Sequence, residues 1–241
     1  MDRGFAALTF LFNAPALLRR GMALALLATL AACAAPVPPT PPEVQGYGLV
    51  EDGGFVIDAV PETYVPAENR KAQVPYAGSE RPGTIVVDPF AKVLYLVEEG
   101  GTAMRYRVAV GREGRAMRGG SYVGRKGEWP YWTPTANMIR TQPELYADKA
   151  GGMAPGPKNP LGARALYLYR GGRDTMFRIH GTGDYTSIGH ATSAGCIRLY
   201  NQDIIDLYER VPTGSTVKVR TQAESLEIEG PQPEEPIIQD E

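Results

Sequence analysis

From Thr84 to Val110 the chain is a series of short β-branched runs cut by tight turns, and this pattern confines it to antiparallel strands. Thr84-Ile85-Val86-Val87-Asp88 leads into the turn signal Asp88-Pro89-Phe90-Ala91, and Lys92-Val93-Leu94-Tyr95-Leu96-Val97 follows. Gly100-Gly101 marks a second turn, after which Met104, Tyr106, Val108 and Val110 alternate with Arg105 and Arg107. Runs this short suit strands rather than helices, and a period of two gives each an inward and an outward face. Three such strands in sequence predict a meander. Further strands are expected at 164–169, 175–180 and 216–220, the first two joined by Gly171-Gly172.

Helical signals are few. Thr141 with Glu144 fits a capping box for a helix ending near Ala150. Asn201 is placed to cap a helix to about Arg210, with Ile204, Ile205, Leu207 and Tyr208 on its apolar face. With 28 glycines, 21 prolines and 13 tyrosines, the composition agrees with a loop-rich, mainly β chain carrying one or two short helices. A net charge of -2 provides no electrostatic footprint for nucleic acid.

The N-terminal third reads differently. Phe5–Leu18 is apolar but broken by Asn13 and Pro15, Arg19-Arg20 follows, and Gly21–Ala32 has the length of a signal-peptide core rather than a membrane span. It ends Leu30-Ala31-Ala32-Cys33, which resembles a lipoprotein cleavage box; the resemblance implies a diacylglycerol on Cys33. An ordinary export signal with an incidental Cys33 is the alternative. Ala34–Pro42 holds five prolines and no charge, so it reads as an extended tether. The expected organisation is a signal peptide at 1–32, a lipidated cysteine and tether at 33–46, an N-terminal extension at 47–81, the main folded domain at 82–221 and an acidic, disordered tail at 222–241. Seven acidic residues, three prolines and no Lys or Arg from Thr221 to the end support the last assignment.

Both histidines and the second cysteine fall between 180 and 196. Cys196 is then the lone thiol of an exported domain, and His180 lies 16 positions upstream at a predicted strand end. A free thiol, with a pKa of about 8.5, needs a base to become a nucleophile, and an imidazole can provide it. His190 is the competing base. The plain alternative is a buried, inert cysteine and a core histidine. Two histidines and one free thiol make metal ligation unpromising, and nothing calls for a cofactor.

His180-Gly181-Thr182, Gly189 and Ser193-Ala194-Gly195-Cys196-Ile197-Arg198-Leu199 closely resemble the signature of L,D-transpeptidase catalytic domains, bacterial enzymes that cross-link or modify peptidoglycan. The likeness extends from Pro82-Gly83-Thr84 through Glu128-Trp129-Pro130-Tyr131-Trp132-Thr133-Pro134 and Gly156-Pro157-Lys158-Asn159-Pro160-Leu161-Gly162 to about residue 220. It implies an L,D-transpeptidase-type β-sandwich or meander of mixed strands. It also implies that Cys196 attacks the bond between residue 3 and D-Ala of a tetrapeptide stem, forming a thioester and expelling D-Ala. An amine acceptor, from another stem or a wall-attached protein, then takes the acyl group, a reaction of cell-wall biogenesis and cell shape.

By the same resemblance His180 is the base, and Gly181 orients it through its backbone. Backbone N–H groups near Gly195 and Cys196 form the oxyanion hole. Arg198 meets a substrate carboxylate or braces the nucleophile loop, a structural ion pair being the alternative. Thr182 and Ser193 are signature positions at the site. Ala194 stands where many members have histidine, which touches a supporting role rather than the reaction.

Trp132, with Trp129 and Tyr131, is a candidate to line the peptide cleft or to join the core. Arg112, Arg115, Arg118, Arg125 and Lys126 read as a basic, glycine-interleaved loop, and 138–160 as a loop-rich lid. The implied setting is the periplasm, with a lipid anchor in a membrane, the outer membrane favoured by Ala34. The rival readings are a hydrolase or D-amino-acid exchanger using the same cysteine, and a non-catalytic wall-binding lipoprotein.

Overall fold

The computed structural model of the protein describes residues 43–111, 114, 117, 119–192, 196–233 and 237. The strands are Val50–Asp52 (β1), Phe55–Ile57 (β2), Ala72–Pro75 (β3), Ile85–Asp88 (β4), Val93–Val97 (β5), Thr102–Arg107 (β6), Ala109–Gly111 (β7), Ser121–Glu128 (β8), Arg164–Arg170 (β9), Arg173–Thr182 (β10), Ala191–Thr192 (β11), Ile197–Tyr200 (β12) and Thr216–Val219 (β13). The α-helices that lie wholly among the described residues are Ala136–Thr141 (α1), Pro143–Tyr146 (α2), Asn201–Arg210 (α3) and Gln222–Glu229 (α4). The chain is mostly β with a few short helices, as its sequence pattern predicts.

β1 and β2 form a hairpin, and the other eleven strands form one sheet in the order β11-β7-β12-β10-β9-β8-β13-β4-β5-β6-β3. One residue, Val108, separates β6 near one end of that order from β7 near the other. The sheet must therefore curl until its two ends meet. Val108 closes the seam: its N–H donates to the Lys92 carbonyl at 3.0 Å, and its own carbonyl accepts from the Gly189 N–H at 3.2 Å. The curl creates one interior, filled by Ile85, Val87, Leu94 and Leu96 from the meander and Leu166, Leu168, Ile179, Ile197 and Leu199 from the strands around β10. Ile204 and Leu207 of α3, with Val211 just beyond it, seal it. The opposite face of β4 and β5 is buried too, through Val86, Val93, Tyr95 and Val97, which is why these runs read as continuously apolar.

The extension at 47–81 is tied into the fold: β3 extends the sheet beside β6, and Asp52 accepts from both Arg164 terminal nitrogens at 2.7 and 2.8 Å and from Trp129 Nε1 at 2.7 Å. Three features differ from the sequence expectations. The expected tail begins with α4, because Thr221 and Glu224 cap each other. The buried Arg220 guanidinium grips Asp88 at 3.3 Å and Glu229 at 2.6 Å. Arg125 and Lys126 belong to β8, not to a loop. Finally, α1 is capped by Thr135 and ends at Thr141, while Asn201 Oδ1 accepts from the Ala163 N–H at 2.9 Å instead of capping α3.

Candidate active site

The parallel pairing of β10 with β12 sets His180 opposite Arg198 and Ile179 opposite Ile197. Ile179 and Ile197 face the core, so strand alternation sends Arg178, His180 and Arg198 to the other face. Cys196 precedes the ladder by one residue, beside Arg178. Strand spacing then puts the Cα atoms of Cys196 and His180 about 8 Å apart, within side-chain reach. The thiol is half-buried. The Cys196 carbonyl accepts from the Gly111 N–H at 3.0 Å, and Gly114 lies so near that a Cβ there would come within 2.5 Å of that oxygen.

His180 is 5% exposed, and its Nδ1 lies 2.7 Å from the Gly181 carbonyl oxygen. A carbonyl only accepts, so Nδ1 carries the hydrogen and the lone pair is on Nε2. Burial lowers the imidazole pKa to about 4, helped by the positive charges of Arg198 and Arg178 and opposed by the Gly181 and Pro160 carbonyls. At neutral pH the ring is unprotonated and able to accept a proton. Gly181 has a second duty: a Cβ would strike Asn201 Oδ1 at 2.3 Å and Ile204 Cγ2 at 2.9 Å. Thr182 is buried, and its hydroxyl accepts from the Asp184 N–H at 3.0 Å. Beyond it a cleft is walled by Asp58, Lys158, Tyr185 and Gln202.

Trp132 does not join this group in the described contacts. It exchanges backbone hydrogen bonds with Met153 at 3.0 and 2.7 Å, and its ring lies 6.1 Å from Tyr146. Trp129 packs at 4.5 Å from Phe55, a core role. His190 stands by the β7–β11 pair, where its carbonyl accepts from the Val110 N–H at 3.2 Å. Cys33, Ser193, Ala194, Gly195, Arg112, Arg115 and Arg118 lie outside the described residues.

The structure adds residues that the signature does not contain. Register aligns Arg125, Tyr167 and Arg178 across β8, β9 and β10, in line with Cys196. The guanidiniums of Arg125 and Arg178 lie 3.4 and 4.4 Å from the Tyr167 ring centroid. Arg178 was legible as the residue two before His180 on the same strand face; Tyr167 and Arg125 needed the sheet pairing. Among the described residues no group of three His, Cys, Asp or Glu side chains is placed to hold a metal, and no helix is long and apolar enough to cross a membrane.

A curled, mostly β domain carries a buried histidine on β10 and a half-buried cysteine immediately before the parallel strand β12. The chain belongs to the YkuD family of L,D-transpeptidase catalytic domains, whose model matches residues 82–219. The "Putative L,D-transpeptidase in ATP synthase subunits region ORF 5" of Fuscovulum blasticum is 36% identical over 56% of this chain and 68% of its own length. The "Probable L,D-transpeptidase ErfK/SrfK" of Escherichia coli is 33% identical over 58% of this chain, but the match spans only 44% of that protein. A crystal structure from Brucella melitensis, described as a probable carnitine operon oxidoreductase, is 45% identical, covering 64% of this chain and 95% of that one with a TM-score of 0.46.

Proposed function

We propose that the chain is a cysteine L,D-transpeptidase of peptidoglycan, held in the periplasm by a lipid on Cys33 and reaching the wall on its proline-rich tether. The observation that supports the chemistry is the β10–β12 pairing, whose strand spacing is compatible with the His180 imidazole reaching the half-buried Cys196 thiol. His180 Nε2 takes the thiol proton as sulfur attacks the residue 3–D-Ala carbonyl. The C–N bond then breaks, the proton passes to the leaving D-Ala amine, and a thioester remains. An acceptor amine attacks the thioester, returning the proton through His180 and restoring the thiol. Arg198, and Arg125 on its Tyr167 platform, give the groove positive charge for the carboxylates of a stem peptide. Backbone N–H groups at Gly195 and Cys196 are the proposed oxyanion donors.

The test is intact-protein mass spectrometry after incubation with a defined stem tetrapeptide. A mass gain equal to the tripeptide acyl group is expected in the wild type. It should be absent in Cys196→Ser and strongly slowed in His180→Ala. Cross-linked dimer among the products supports transfer; tripeptide alone supports the hydrolase reading. No adduct on folded wild-type protein sinks the nucleophile assignment. Labelling with a palmitate probe, lost in Cys33→Ser, tests the anchor.

A further inference from the structure

Met176 has φ 64°, a left-handed conformation that a side chain of this kind holds only when its surroundings enforce it. The enforcement is visible. The Met176 N–H donates to Asp174 Oδ1 at 2.8 Å, and the Phe177 N–H donates to Thr175 Oγ1 at 3.2 Å. Thr175 Oγ1 donates to the Leu168 carbonyl at 2.6 Å. Arg178 grips both Asp174 oxygens, at 2.7 and 2.9 Å, and the Phe177 carbonyl at 2.9 Å. The bulge breaks the β9–β10 register between Asp174 and Arg178. The Met176 side chain is 59% exposed, so its burial does not repay the strain. The bulge delivers a backbone oxygen: Cys196 Sγ lies 3.8 Å from the Met176 carbonyl, in donor geometry.

We propose that the 174–178 bulge is a positioning device for the nucleophile, with the Met176 carbonyl accepting the Cys196 S–H and keeping the resting sulfur a thiol until a substrate peptide N–H takes that oxygen. This rests on Cys196 being the nucleophile. A carbonyl attracts a thiol and repels a thiolate. The charged and titratable groups that strand register places on the sulfur's side of the sheet among the described residues divide. Arg178 and Arg198 favour thiolate, and Arg125 does so from across Tyr167. Asp174 offsets Arg178 through its paired contact, and buried His180 resists becoming imidazolium, so a resting thiolate–imidazolium pair has no support. When a substrate N–H occupies the carbonyl, the thiol hydrogen turns to His180 Nε2. The S–C bond then forms as the proton transfers, and the amine leaves with that proton. Met176 is thus a positioning residue acting through its backbone, and Thr175 acts through Met176.

The test is the pH dependence of Cys196 in full-length protein carrying Cys33→Ser, followed by thiolate ultraviolet absorbance and by the rate of iodoacetamide alkylation. The wild type is expected to form thiolate with a midpoint at or above the free-thiol value of about 8.5. Thiolate already present near neutral pH overturns the proposal without any variant. Thr175→Val removes a bulge bond without changing charge and should shift the midpoint down by at least about half a unit, while Thr175→Ser and Met176→Gly should retain the wild-type profile. A Thr175→Val protein that melts as the wild type yet titrates identically also overturns it; if that variant does not fold, the wild-type midpoint decides. The titration reads the thiol whether or not the chain transfers peptides. Absence of the tripeptide adduct with the expected titration therefore refutes the nucleophile role of Cys196 and leaves standing only the Met176 carbonyl's hold on the thiol; the adduct with a thiolate already formed near neutral pH refutes the hold and leaves the transpeptidase reading standing.

Discussion

His180 and Asp203 are both buried, and the contrast between their surroundings separates the working part of the molecule from its scaffold. Desolvation disfavours charge at each, holding His180 near 4 and raising Asp203 to about 7. At His180 the neighbours are arginines, which deepen the shift and leave a free lone pair. At Asp203 the neighbours partly resist it: Lys71 approaches at 3.6 Å, and the Tyr47 hydroxyl donates at 3.2 Å. Asp203 Oδ1 has no hydrogen-bond partner among the described residues. One burial produces a proton acceptor, the other a lock between α3 and the N-terminal extension.

The comparison breaks most visibly in catalysis. His180→Ala should slow acylation by about 10²- to 10⁴-fold, whereas Asp203→Asn should leave the acylation rate unchanged; time-resolved intact mass measures both. A large loss in Asp203→Asn would abolish the distinction between the two sites.

Stability against pH comes next in size. Asp203 has a folded pKa above its ordinary 3.8, so the folded chain holds the extra proton. Its contribution is full below about 3.8 and is lost as pH rises through about 7, a span on the order of 4 kcal/mol at most. Asp203→Asn should therefore melt progressively higher than the wild type as pH rises from 5 to 8. His180 has a folded pKa below its ordinary 6.5, so the unfolded chain binds the extra proton. Stability is lost as pH falls from about 6.5 to about 4, on the order of 3 kcal/mol at most. His180→Gln should remove that acid-side loss. The two slopes oppose each other between these limits, so wild-type thermal melts should vary little there, and the single variants should expose each slope.

The smallest effect is expected at the hydroxyl itself. Tyr47→Phe should cost about 0.5–1.5 kcal/mol and move the Asp203 transition to higher pH, because the lost hydrogen bond favours the carboxylate. A melting series across pH checks both.

The central strands were legible because their signals are local. β4 and β5 are β-branched runs between turn residues, and strand alternation needs no distant partner. β8 was not legible. Only Val123 of its middle enters the core, Gly124 sits at a bulge where a Cβ would meet the Tyr169 ring at 2.3 Å, and Arg125 and Lys126 lie over Tyr167 and Tyr208 at 3.4 and 4.0 Å. A strand whose outer face is made of cationic stems on rings carries no hydrophobic alternation. α4 was hidden for a related reason: its anchor, Arg220, precedes the acidic stretch, and Asp88 is 132 residues away.

The sequence by itself determined which residues can do chemistry and which runs must be strands, since both depend on side-chain type and spacing of two along the chain. The tertiary structure alone decided that β10 and β12 lie side by side, that the extension closes over Asp203, and that a strained methionine carbonyl meets the sulfur. Those outcomes depend on the curl of the sheet and on the desolvation it imposes, which come from contacts between residues far apart in the chain.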